Sequence, residues 1–155
     1  MAGIIARRTL TSLVATFAIA VSLSACFLLP SRTQESGNDM SGSIDTESLG
    51  EAITDSSPTI ESTYIAVKRD GTGNTLYVLP TLTSDGLTKD ELSDVLRIAF
   101  DSTLGEVETV EVETEDATGN PLDIAPAARE LGIQNNELVN SVTYSTVYLA
   151  EAFGE

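Results

Sequence analysis

Three glutamates at alternate positions, Glu111, Glu113 and Glu115, are the residues whose type and spacing come closest to chemistry. They belong to the run Glu106-Val107-Glu108-Thr109-Val110-Glu111-Val112-Glu113-Thr114-Glu115-Asp116. A strand has a side-chain period of two, so the three carboxylates share one face while Val110, Val112 and Thr114 share the other. Val107 is out of phase, which predicts a bulge or a strand starting near Thr109. Such a row could hold calcium through oxygen ligands, or meet a cationic polymer or protein. A glycosidase pair is a poorer fit, because its two acids converge across a cleft and one strand face does not. An exposed row of like charges also keeps a strand edge from pairing, and that structural role is the stronger expectation.

The rest of the inventory removes many mechanisms. The chain of 155 residues has no histidine, no tryptophan and a single cysteine, Cys26. A Ser-His-Asp triad, a Cys-His pair, a histidine zinc site and an internal disulfide are therefore all impossible within one copy. Carboxylate acid-base work, a Ser-Lys pair or a hard-cation site remain, so the expectation leans away from an enzyme, with no catalytic residue, metal or cofactor assigned.

Cys26 has the most informative surroundings. Arg7 and Arg8 give a basic start, and Thr9 to Leu23 is an apolar run shorter than the roughly 20 residues a spanning helix needs. Leu23-Ser24-Ala25-Cys26 then places an aliphatic residue and two small ones before the thiol. This resembles the lipobox of bacterial lipoproteins. The resemblance implies a signal peptide over 1–25, diacylglyceryl attachment to Cys26, and cleavage before it by signal peptidase II. It further implies an address on the outer face of the cell membrane. Export by the Sec route is the default expectation. Arg7-Arg8-Thr9-Leu10 hints at a twin-arginine signal, but Thr11 stands where a second apolar residue would be expected.

Cleavage there would remove Arg7 and Arg8, leaving six basic residues against 24 acidic ones and changing the net charge from −16 to −18. A field of that sign repels phosphate backbones, which excludes nucleic acid as a partner, and it disfavours contact with anionic lipid through the folded part. The membrane, reached through Cys26, and an envelope protein or polymer are the expected partners.

From residue 26 to 60 the composition turns to Ser, Thr, Gly, Asp, Glu and Asn, which predicts a disordered tether with a reach of roughly 30 Å. A short helix around Ser48 to Ile53 is a minor alternative. Beyond it the pattern becomes that of a folded domain over 61–155. Tyr64–Lys68 and Thr75–Leu79 read as a hairpin closed by Asp70-Gly71-Thr72-Gly73-Asn74. That loop lacks the third glycine of a phosphate cradle and the later glutamate of a calcium loop.

Thr88-Lys89-Asp90-Glu91 is a capping box, with Leu87 and Leu92 placed as a hydrophobic staple, and Leu92, Val95, Leu96, Ala99 and Phe100 form one apolar stripe. A second helix from Asp123 ends at Gly132, and Ser141–Leu149 alternates as a strand. The order β-β-α-β-α-β predicts a small two-layer α+β domain, with helices on one face of a mixed or antiparallel sheet. The lipobox, acidic tether and short α+β tail together resemble small envelope lipoproteins of high-GC Gram-positive bacteria. That likeness implies location without supplying any active-site residue. Tethering, with an inventory poor in catalytic groups, leads to the expectation of a non-enzymatic binding or positioning role. A carboxylate-dependent hydrolase or calcium module using Glu111 and Glu113 is the alternative.

Overall fold

The computed structural model describes residues 44–71, 73–103, 105–138 and 140–154. The expected signal peptide, Leu23, Ser24, Ala25 and Cys26 lie outside them, as does the tether up to residue 43. The described residues form an α+β domain with a mixed six-stranded sheet and one layer of helices.

The domain starts earlier than the composition suggested. Residues 44–60, expected as tether, hold helix α1 (Thr46–Ser56), a turn and the start of strand β1 (Ile60–Asp70). Asp45 caps α1, its carboxylate accepting from the Ser48 N–H at 3.1 Å and the Ser48 hydroxyl at 2.7 Å. Leu49 and Ile53, one helical turn apart, are buried. Gly50 lets the helix approach closely, since a Cβ there would stand 3.1 Å from the Thr63 carbonyl oxygen. Two well-placed aliphatics and a cap thus outweigh a polar composition.

β1 pairs antiparallel with β2 (Gly73–Leu82), as the hairpin reading predicted, with a register shift between Ile60 and Ser62. β2 runs parallel to β3 (Thr109–Glu113), and parallel neighbours need a crossover, which helix α2 (Lys89–Thr103) supplies. The capping box is formed: the Glu91 N–H donates to the Thr88 hydroxyl at 3.3 Å and the Thr88 N–H to the Glu91 carboxylate at 2.8 Å. Leu92, Val95, Leu96 and Ala99 are buried, and Leu87 is buried beside them.

Glu91 also reaches across to the α1–β1 turn, accepting from the hydroxyls of Ser57 at 2.6 Å and Thr59 at 2.5 Å. Burial pushes its carboxyl up, but the hydrogen bonds from Ser57, Thr59 and Thr88 outweigh this and bring it down to about 2.

A two-residue strand, β4 (Glu115–Asp116), continues β3 along β2 in the same register. The break between them, at Thr114, falls opposite Pro80, which has no N–H to give the ladder. Thr114 is instead clamped to Leu122, whose N–H donates to its carbonyl at 2.8 Å while the Thr114 hydroxyl donates back at 3.1 Å.

Helix α3 (Ala125–Leu131) carries Pro126 in its first turn and stops at Gly132. Gly132 is left-handed, with φ +73°, and its N–H returns to the Ala128 carbonyl. Asp123 accepts from the Ala125 N–H at 3.0 Å. Strand β5 (Asn136–Glu137) lies at one side of the sheet, next to β6 (Ser141–Ser145).

The strand expected to run to Leu149 ends four residues sooner. Ser145 caps helix α4 (Thr146–Phe153) by accepting the Val147 N–H, and the Thr146 N–H and hydroxyl both donate to the Glu108 carbonyl. Leu149 and Phe153, a turn apart, dock on the core in place of strand pairing.

The sheet order is β1-β2-β3-β6-β5, with β4 beside β2. Each helix packs against α2 and so joins one layer. The face beneath holds Ile65, Leu76, Val78, Val110, Val112, Val142 and Tyr144. Tyr144 is fully buried, and its hydroxyl has no hydrogen-bond partner among the described residues.

Candidate functional site

The opposite face of the sheet carries no helix of the described residues, and it is where the three glutamates stand. Pairing registers assemble it. Lys68 lies opposite Thr75, Ala66 opposite Tyr77 and Tyr64 opposite Leu79 across β1 and β2. Thr75 and Tyr77 sit beside Thr109 and Glu111 across β2 and β3. Glu111 and Glu113 face Thr143 and Ser141 across β3 and β6. The result is a face of hydroxyls and carboxylates that also carries Tyr64, Tyr77, Lys68, Ala66 and the buried Leu79.

β3 sits between β2 and β6. Glu111 and Glu113 therefore do not guard an edge, which corrects the expectation of an edge-protecting charge row, while Glu115 lies in β4 beside β2. The three glutamates do not act as one row. They are spread over separate partners. Glu111 lies 3.6 Å from the Lys68 ammonium. Glu113 accepts a short hydrogen bond from the Tyr77 hydroxyl, and Glu115 accepts from the Thr81 hydroxyl at 3.4 Å.

Lys68 stands 3.3 Å above the Tyr77 ring, a cation–π contact, and Tyr64 meets the same ring edge-on at a centroid distance of 6.4 Å. Tyr64 is 56% exposed, whereas Tyr77 is buried by the residues around it. That burial, then the Glu113 hydrogen bond and the neighbouring carboxylates, push the Tyr77 phenol well above its ordinary range. It keeps its proton at neutral pH and acts as a hydrogen-bond donor.

Two further acids of the run, Asp116 and Glu108, are tied into turns. Asp116 accepts from the N–H and hydroxyl of Thr118 and from the N–H and side-chain amide of Asn120. Those bonds hold its carboxyl far below the usual carboxylate range. Glu108 takes a short hydrogen bond from the Asn74 N–H and, with Arg69, Gly71, Gly73 and Asn74, lines a shallow recess beside the hairpin loop.

Among the described residues no group of three acidic side chains could hold a metal ion. The strand sets its carboxylates side by side, not around a common point.

No local pattern in the sequence joins Tyr77, Tyr64 and Lys68 to the glutamates. Their alternation within the hairpin was the available signal, but only the β2–β3 register, which crosses α2, brings them together.

No family model, no curated protein and no solved structure matches this chain.

Proposed function

We propose that the chain is a lipid-anchored cell-envelope protein with a non-enzymatic binding or positioning role at the outer face of the cytoplasmic membrane. Cys26 holds it there, and the open sheet face meets a cationic envelope protein or polymer. The sequence Leu23-Ser24-Ala25-Cys26, behind a basic start and an apolar run, carries the address. For the binding role the single supporting observation is the sheet face on which Glu111, Glu113 and Glu115 stand in a row, with Lys68 beside Glu111. Its carboxylates are dispersed, as suits several cationic groups spaced along a partner.

Lipidation is tested by metabolic labelling with an alkyne fatty acid in wild type and Cys26→Ser. Label in the wild type alone is expected, and equal label in both would defeat the anchor. The face is tested by cross-linked pull-down from envelopes with wild type and a Glu111→Gln/Glu113→Gln variant. A partner lost in the variant is expected, and the same recovery from both would remove the face from the reading.

A further inference from the structure

On the open face the strand register leaves a gap above one ring. Ala66 lies directly opposite Tyr77 and is too small to cover it, and no helix of the described residues stands over this face. Tyr77 is nevertheless only 8% exposed. The cover comes from its two diagonal neighbours on β1. Tyr64 meets the ring edge-on, and Lys68 holds its ammonium 3.3 Å from the ring centroid. Glu111, from β3, stands 3.6 Å from the same ammonium.

These groups form a seat for a cation. The face of a tyrosine ring attracts an ammonium, and the carboxylate beside it adds charge attraction. The short hydrogen bond that the Tyr77 hydroxyl donates to anionic Glu113 further enriches the ring in electrons. What fills the seat is only lightly held. The Lys68 side chain is 51% exposed, and an ion pair so open to water contributes little and re-forms freely.

We propose that Lys68 is a built-in competitor: it occupies a seat that a lysine side chain of a partner protein takes over when the open face is engaged, Lys68 swinging out into water. This rests on the binding reading above and deepens it by naming the group recognised. The occupant is a lysine because the seat already accommodates one, four-carbon stem and ammonium together, and because Glu111 beside it supplies the opposite charge.

The test uses the full chain in detergent, with pentalysine as the probe. The chain has two lysines, Lys68 and Lys89, so NMR of lysine-labelled protein reads the seat with an internal control. In the free chain the Lys68 Cε protons are expected upfield of those of Lys89, shielded by the Tyr77 ring. Pentalysine is expected to return them to the ordinary position while Lys89 stays unmoved. An oligomer of glucosamine, whose ammonium groups lack the four-carbon stem, is expected to leave Lys68 seated.

A seat filled most of the time by its own lysine lowers apparent affinity by the fraction left open, so Lys68→Gln is expected to tighten pentalysine binding, read by calorimetry, by about fivefold. Arg69→Gln removes the same charge from the next position, on the other side of the strand, and is expected to change it by less than about twofold.

Unshifted Lys68 protons in the free chain, Lys68 that stays seated while pentalysine binds, or displacement by the glucosamine oligomer as readily as by pentalysine overturns the competitor. So does Lys68→Gln that binds pentalysine no more tightly than Arg69→Gln. Each of these leaves the binding reading standing, whereas no binding of pentalysine to either wild type or Lys68→Gln removes both. The NMR measurement needs no substitution, so it decides alone if a variant fails to give a cooperative melt.

Discussion

Replacing Glu91 with glutamine tests how α2 is joined to the first helix. One carboxylate oxygen accepts from Ser57 and Thr59, and the other accepts from the N–H and hydroxyl of Thr88. Glutamine keeps one acceptor oxygen and turns an NH₂ toward the other pair, so at least one N–H is left facing a donor. The variant also loses a negative charge in the first turn of α2.

A carboxyl brought down to about 2 would by linkage contribute about 3 kcal/mol at neutral pH, at 1.36 kcal/mol per pKa unit. The carboxylate is partly open to solvent, which screens it, so about 2 kcal/mol is the working figure. For a domain of this size that lowers Tm by about 10 °C.

The pH dependence has a definite sign. The folded-state value is depressed, so the unfolded chain binds the proton more readily, and the stabilisation is present above about pH 5 and fades as pH falls towards 2. Urea unfolding followed by circular dichroism, on wild type and Glu91→Gln between pH 7 and pH 2, reads this directly. The stability gap should shrink through that window. A gap that is independent of pH, or below about 0.5 kcal/mol at neutral pH, would refute the account of the node.

Tyr144→Phe removes a buried hydroxyl that has no partner among the described residues, and it is expected to raise stability by about 1 kcal/mol in the same assay; a clear loss would mean the hydroxyl is bonded. Gly132→Ala forces a side chain onto a left-handed residue at the end of α3 and should destabilise by about 1 kcal/mol, with no change if the helix end can reorganise. Glu113→Gln removes the anionic acceptor of the Tyr77 hydroxyl. The phenol, followed by its ultraviolet titration, should move down toward its ordinary range while staying above it because burial remains, and an unmoved titration would count against the Tyr77–Glu113 bond.

Local signals were the readable part of the fold. The capping box at Thr88–Glu91, the stripe from Leu92 to Ala99, the hairpin and the stop at Gly132 each depend on neighbours within a few residues, and each formed as read. α1 is faint in the sequence because its apolar residues are few. Leu49 and Ile53 matter because α2 and β1 cover them, which composition does not reveal. Residues 146–149 kept an alternating, β-branched pattern, yet the Ser145 cap and the Glu108 carbonyl turned them into helix, so capping overrode propensity. The acidic face was half visible. Alternation put Glu111, Glu113 and Glu115 on one side, but their partners come from strands more than thirty residues earlier, through a register no local pattern encodes.

The mixed pairing of the sheet also orders its assembly in time. β1 and β2 are joined by a tight loop, and such a hairpin closes in about 1–10 μs, so Tyr64, Lys68 and Tyr77 come together early. β3 cannot lie parallel to β2 until α2 has folded back across the sheet, and β6 must find β3 across α3. Loop-closure entropy makes these the late steps. The aromatic and cationic half of the open face therefore stands before its glutamates arrive, and the face acquires its negative character only as folding finishes.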